Sequence, residues 1–132
     1  DGLGVERPKI LAVTVLTSFD DQGWQEVGGH LPIQEHVLEL ASLAKSSGVD
    51  GVVASPKEAG SIREMAGKDD FLIVTPGIRP SFAQTDDQKR IATPSQAFKD
   101  GSSMLVIGRP ITQAIDPCAA ARLILKEIKE NA

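Results

Sequence analysis

The stretch "FLIVTPGIRP", residues 71–80, takes an apolar, β-branched run through Thr75, Pro76 and Gly77 to a full positive charge at Arg79. Thirty residues on, "LVIGRPI", residues 105–111, does the same: Leu105, Val106 and Ile107 stop at Gly108, and Arg109 comes at once. Each run has the composition of a strand buried on both faces, with little alternation between polar and apolar positions. Each ends on residues that stop a strand. An arginine therefore stands, twice, where a core strand leaves the sheet.

Working outward, two more such runs occur, at Ile10–Leu16 and Val52–Ala54, beside Phe71–Thr75 and Met104–Ile107. Helical patterns lie between and after them. "PIQEHVLELASLAKSSG" spaces Val37, Leu40, Leu43 and Ala44 along one helix face and stops at Gly48. "SPKEAGSIREMAG" offers Ser55 as N-cap, Pro56 at the first helical position and Glu58 as a reciprocal cap. Thr93-Pro94 and Asp116-Pro117 repeat that grammar, the last helix running apolar through Ala121, Leu125 and Ile128. The order is βαβαβαβα, an alternating parallel α/β architecture. Four such units make either a small open sheet or half of a (β/α)8 barrel, which needs about 250 residues. Periodicity does not choose between them.

The 132 residues fit one unit, and 41% hydrophobic with 24% charged is an ordinary globular balance. A net charge of −4 without a Lys/Arg cluster argues against a nucleic-acid surface. No apolar stretch approaches membrane-spanning length and no signal-peptide pattern occurs, as expected of a soluble cytoplasmic protein. One cysteine, Cys118, excludes an internal disulfide; lacking an identifiable base beside it, it reads as a small packed residue. The chain opens without Met in a loop-like segment, the form expected of a piece of something larger. His30 and His36 lack the spacing of a metal pair, and Trp24 lies in a polar loop, "FDDQGWQEVGG".

In either architecture function belongs at the carboxyl ends of the strands. Those positions carry Thr17-Ser18, Ser55, Thr75 to Arg79, and Gly108-Arg109-Pro110. Glycine lets a ligand approach the backbone, and arginine offers a fork of donors suited to phosphate. "PITQAI" after Arg109 reads as a short helix aimed at the same place. A lone Gly-Arg pair is ordinarily a turn with a solvated charge; two at equivalent strand exits point to one anion held between them. The long polar segment "PSFAQTDDQKRIAT" between them includes Gln88, able to donate and accept, and has the length of a closing loop.

Taken together, "LAVTVLTS", "DGVVAS", "VTPGIRP", "DDQKR" and "LVIGRPIT", in this order and spacing, closely resemble the orotidine 5′-phosphate decarboxylase family, over the carboxyl-terminal half of its barrel only. The resemblance implies strands five to eight of a (β/α)8 barrel, residues 1–132 forming a single half-barrel unit. It also implies conversion of orotidine 5′-monophosphate to UMP and CO2, a homodimer, and neither metal nor organic cofactor. By position, Arg109 and the Gly108 amide would bind phosphate with Arg79 beside them, and Gln88 would bridge phosphate and pyrimidine. Thr17 would lie near the pyrimidine or ribose, Ser55 would contact the pyrimidine ring, and Pro76 would help line the pocket. The family's D-x-K-x-x-D motif does not occur in this chain. Its catalytic Asp/Lys network, and the residue donated across the dimer, belong to an amino-terminal half. No catalytic residue is expected here, and the chain alone should not decarboxylate. Asp86 stands where some members of the family have glycine. Two alternatives stay open: another phosphate-binding barrel decarboxylase or aldolase acting on a sugar phosphate, and a non-catalytic phosphate-binding half-barrel.

Overall fold

The computed structural model describes residues 4, 6–67, 70–83 and 91–130. Gln88 and Asp86 lie outside the described residues. Strands β1 (Leu11–Val13), β2 (Gly51–Val53), β3 (Leu72–Thr75) and β4 (Met104–Leu105) form one four-stranded parallel sheet in the order β1-β2-β3-β4. Spatial order matches chain order with no reversal. A doubly wound sheet needs such a reversal to place helices on both faces, so this sheet is wound in one direction, as barrel strands are. The chain is α/β with half a barrel's strands.

Three helices were legible in place: α2 (Ile33–Ser46), α3 (Pro56–Ala66) and α4 (Pro94–Lys99). So were the short α5 (Arg109–Thr112) and the final α6 (Pro117–Glu130). The caps obey the sequence grammar. Ser55 accepts from the Lys57 amide at 3.3 Å, Thr93 from Gln96 at 3.4 Å, and Asp116 from Ala119 at 2.9 Å. The polar "FDDQGWQEVGG" segment is not all loop: α1 (Asp21–Glu26) forms there, with Asp20 as N-cap accepting from the Gly23 amide at 2.9 Å. Trp24 holds it down, edge-on to Phe19 and tilted against His36 at a ring separation of 5.1 Å. In turn Asp21 accepts the Ile33 amide at 3.0 Å, capping α2 where Pro32 has no side-chain cap to offer.

The core lies between the sheet and helices α2 and α3. Val52, Ala54 and Ile73 are buried there with Val37, Ala41, Ala59 and Ile62. Each fully buried larger aliphatic side chain of this kind contributes about 1.5–3 kcal/mol. Gly51 permits the close approach of β2 to β3, because a Cβ there would stand 2.2 Å from the Leu72 carbonyl oxygen. The other face of the sheet is apolar and only partly covered. Val13, Val53, Val74 and Met104 form one register row across all four strands, and its two ends, on the edge strands, are more than half exposed.

Four expectations need correction. Strands β1 and β4 are shorter than their apolar runs, since register pairing stops at Val13 and Leu105. Leu43 does not join the α2 stripe; it is exposed and Ala41 takes the inward place, because residues 37, 41 and 44 sit on one helical face. In α6 the buried positions are Ala120 and Ile124, not Ala121 and Leu125; the helix seats one residue earlier and Leu125 faces out. Cys118, in the exposed first turn of α6, is not packed.

The amino ends of the strands are tied by Asp50. Its carboxylate accepts two bonds from Arg7, at 2.7 and 3.0 Å, and the Ile10 amide at 2.7 Å, while its carbonyl accepts the Leu72 amide. The Arg7 hydrogen bond, then the Ile10 amide, hold the Asp50 carboxyl below its usual range. A folded-state value below the unfolded one contributes stability present above about pH 4, lost as pH falls through the lowered value. We expect Asp50→Asn to be less stable than the parent at pH 7, with the gap closing below about pH 4. Urea unfolding at pH 7, 5 and 3 measures this, and a gap independent of pH would refute it.

Candidate functional site

At their carboxyl ends β3 and β4 leave the sheet side by side. The last rung between them is the Val106 amide donating to the Thr75 carbonyl at 2.9 Å. Beyond it the first segment turns through Gly77, whose φ of +75° suits glycine, and reaches Arg79. The Arg79 amide donates to the Ala92 carbonyl at 2.9 Å, next to a parallel bridge of Ile78 with Ala92. That pairing closes the ends of the intervening segment onto each other. Ser81 then donates through its amide and hydroxyl to Glu127 on α6, at 3.3 and 3.4 Å.

Between the two exits lies a cleft of about 220 Å³, lined by residues 76–79 on one side and 108–110 on the other, with Val106. Pro76, Arg79, Gly108 and Arg109 are thus brought together. The two arginines differ in setting. Arg79 is 6% exposed, contrary to a solvated turn charge, whereas Arg109 is half-buried at the start of α5. A buried guanidinium is costly to desolvate and is kept in place by what surrounds it. Gly108 has open space where a Cβ would stand. The α5 turn offers fewer amides than its sequence suggested, because those of Ile111 and Thr112 donate to the Gly108 carbonyl and Pro110 has none.

Thr17 and Ser55 do not line this cleft. Both are buried at the exits of β1 and β2, and the Ser55 hydroxyl caps α3. A second cleft, about 310 Å³, lies near them between the starts of α2 and α3, lined by residues including Asp21, Gln34, Lys57 and Glu58. Sequence reasoning passed over it. Its residues come from two helix starts and one short helix, and no single motif spans them. Among the described residues no group of three His, Cys, Asp or Glu side chains could hold a metal ion. No helix among them is long and apolar enough to cross a membrane.

What two cationic forks and an open glycine at adjacent strand exits can do chemically is grip an oxyanion. The model of the family described as "Orotidine 5'-phosphate decarboxylase / HUMPS family" matches residues 2–124. The chain belongs to that family. Among curated relatives, "Orotidine 5'-phosphate decarboxylase" of Geotalea daltonii is 60% identical over 95% of this chain and 52% of its own length. The protein of that name from Geobacter sp. strain M21 is 60% identical over 92% of this chain and 50% of its own. Among solved structures, orotidine 5'-phosphate decarboxylase from Lactobacillus acidophilus superposes with a TM-score of 0.76 at 49% identity, covering 96% of this chain and 51% of that one. The chain therefore spans about half the length of the relatives it matches.

The difference in burial between the arginines has a measurable consequence. Arg79→Ala should destabilise the chain by about 2–4 kcal/mol, as a cavity at a buried position does, and Arg109→Ala by about 0.5 kcal/mol or less. Urea denaturation of the two variants checks this; equal losses would contradict the packing described.

Proposed function

We propose that this chain is the phosphate- and pyrimidine-binding half of an orotidine 5′-monophosphate decarboxylase, residues 1–132 acting as one half-barrel unit. The observation that carries the reading is that Arg79 and Arg109, from adjacent strand exits, line one cleft. Family membership supports it. The substrate's phosphate sits between the two guanidinium groups, with the Gly108 amide as a third donor. Ser55 and Thr17, at the exits of β2 and β1, face the pyrimidine and ribose side, and Pro76 lines the wall. Gln88 bridges phosphate and pyrimidine.

The reaction breaks the bond between the pyrimidine ring and its carboxylate. CO2 departs, the electron pair stays on the ring carbon, and a proton replaces the carboxylate to give UMP. The Asp/Lys network that stabilises and protonates that carbanion comes from an amino-terminal half, and two such enzymes pair as a cytoplasmic homodimer. That half would lie against the open edges of β1 and β4 and cover Val13 and Met104, which are exposed here. Phosphate binding far from the reacting carbon raises the rate only if its energy organises the reacting end, through closure and orientation.

The test joins this chain to the amino-terminal half of the Geotalea daltonii relative and measures conversion of orotidine 5′-monophosphate to UMP. Activity is expected from the pair and not from this chain alone; an inactive but folded pair would refute the assignment. A sugar-phosphate enzyme would instead bind ribulose phosphate in preference to UMP. In the active pair, Arg109→Ala should cost a factor of about ten to a hundred with the phosphorylated substrate, the equivalent of one charge-assisted hydrogen bond. Activity toward orotidine, which has no phosphate, should change far less. Equal proportional losses on both substrates would count against a phosphate role for Arg109.

A further inference from the structure

Thr75 is the last residue of β3, four positions before Arg79, and sequence position alone made its hydroxyl one of several at the strand exits. The structure uses that hydroxyl otherwise. The Thr75 side chain is fully buried and shares the helix-facing side of the strand with Ile73, two residues before it. Its Oγ1 donates to the Ser102 Oγ at 3.0 Å and lies 3.4 Å from the Met104 carbonyl oxygen. Its own carbonyl accepts the Val106 amide. One residue thus reaches three points along the segment that carries Arg109.

That segment needs the help. The β3–β4 ladder has two register pairs, Val74 with Met104 and Thr75 with Leu105, whereas β1–β2 and β2–β3 have three each. The shortest pairing in the sheet sets the spacing of the two arginines. A slip of one residue would displace Arg109 along the strand by about 3.3 Å relative to Arg79 and turn its neighbours to the other face. A second serine works beside the first: Ser103 Oγ accepts the Ile73 amide at 3.1 Å and Arg63 Nη2 at 2.9 Å.

We infer that Thr75, through its hydroxyl bond to Ser102, is a positioning residue for the two-arginine cleft: it fixes the register of β4 against β3, and so the separation at which Arg79 and Arg109 meet an anion. The inference rests on the reading of that cleft as a phosphate site, which is tested separately. Thr75 does not touch the anion; it acts through the two strands.

The experiment titrates the full chain with inorganic phosphate, monitoring the arginine side-chain N–H signals by NMR, beside thermal unfolding of each variant. Thr75→Val keeps the shape and removes the hydroxyl. It should weaken phosphate binding about three- to tenfold, the scale of one buried hydrogen bond. Thr75→Ser restores the hydroxyl and should bind within about twofold of the parent. Ser102→Ala breaks the same bond from the other side and should match Thr75→Val, which keeps the test available if the valine variant does not fold. Parent-like binding by Thr75→Val, or by Ser102→Ala where it alone folds, would overturn the inference. Equal weakening by Thr75→Val and Thr75→Ser would overturn it too, by assigning the effect to methyl packing. Arg109→Ala separates the two levels. If it leaves phosphate binding unchanged, the phosphate reading of the cleft fails and the positioning role falls with it. If it weakens binding while neither Thr75→Val nor Ser102→Ala does, only the positioning role fails.

Discussion

One hydrogen bond, from the Val106 amide to the Thr75 carbonyl, is the last point at which β3 and β4 hold each other before both leave the sheet. Little chain separates that rung from either cation: four residues run from Thr75 to Arg79, and three from Val106 to Arg109. Over so few residues a cation cannot wander far from its strand, so the position of that rung decides where the two guanidinium groups stand. The turn at Gly77 and the Arg79–Ala92 pairing remove most of the remaining freedom on the β3 side. Arg79 is buried, fixed by its packing, while Arg109 keeps contact with solvent. A site with one immobile and one responsive cation can be preorganised and still admit its ligand from water.

The same sheet is covered unevenly. Helices cover one face of β2 and β3, and their apolar side chains are buried on that face. On the other face, the row from Val13 to Met104 is exposed at both ends because, among the described residues, β1 and β4 each have a neighbour on one side only. Apolar edges of this kind are ordinarily blunted by charge or covered. Val13 and Met104 are neither charged nor covered here. Two parallel edges flanking a partly covered apolar face fit a second set of parallel strands better than they fit water.

How much of this was legible depends on particular residues. The strands were recognisable because a strand buried on both faces has no polar alternation to hide it, and the Pro-initiated helices between them made their parallel connection plain. Their ends were not, because apolar residues such as Leu16 and Val106 continue past the last register pair and are exposed for want of a neighbour. Helix α1 was hidden by a glycine within it and the lack of an apolar stripe; it is held by the Asp20 cap and by Trp24 packing, neither visible as periodicity. In α6 a sequence cannot say which of several apolar stripes faces inward when one flank of the fold is open, and Ala120 with Ile124 won over Leu125. The arginine pair was legible because both sides of the cleft use the same glycine-then-arginine grammar. Thr75 closes its apolar run and β3 alike, and the strand's period of two puts it beside Ile73 on the helix side; its partner Ser102 lies in a segment that no motif marks.

That the chain carries two arginines at one cleft without the family's acid and lysine motif is consistent with how the chemistry divides on the proposed reading. Gripping a phosphate needs permanently charged donors on rigid strand ends, and the exits of β3 and β4 carry two of them. The reacting end, on that reading, needs a cationic proton donor to stabilise the carbanion and carboxylates set against the departing carboxylate. No requirement of geometry puts both on one half of a ring of strands. On that reading the ligand would span the gap, so each half could be built from its own short-range contacts. The coupling between them would then depend on how firmly each half fixes its own end, which for this chain returns to the spacing of β3 and β4.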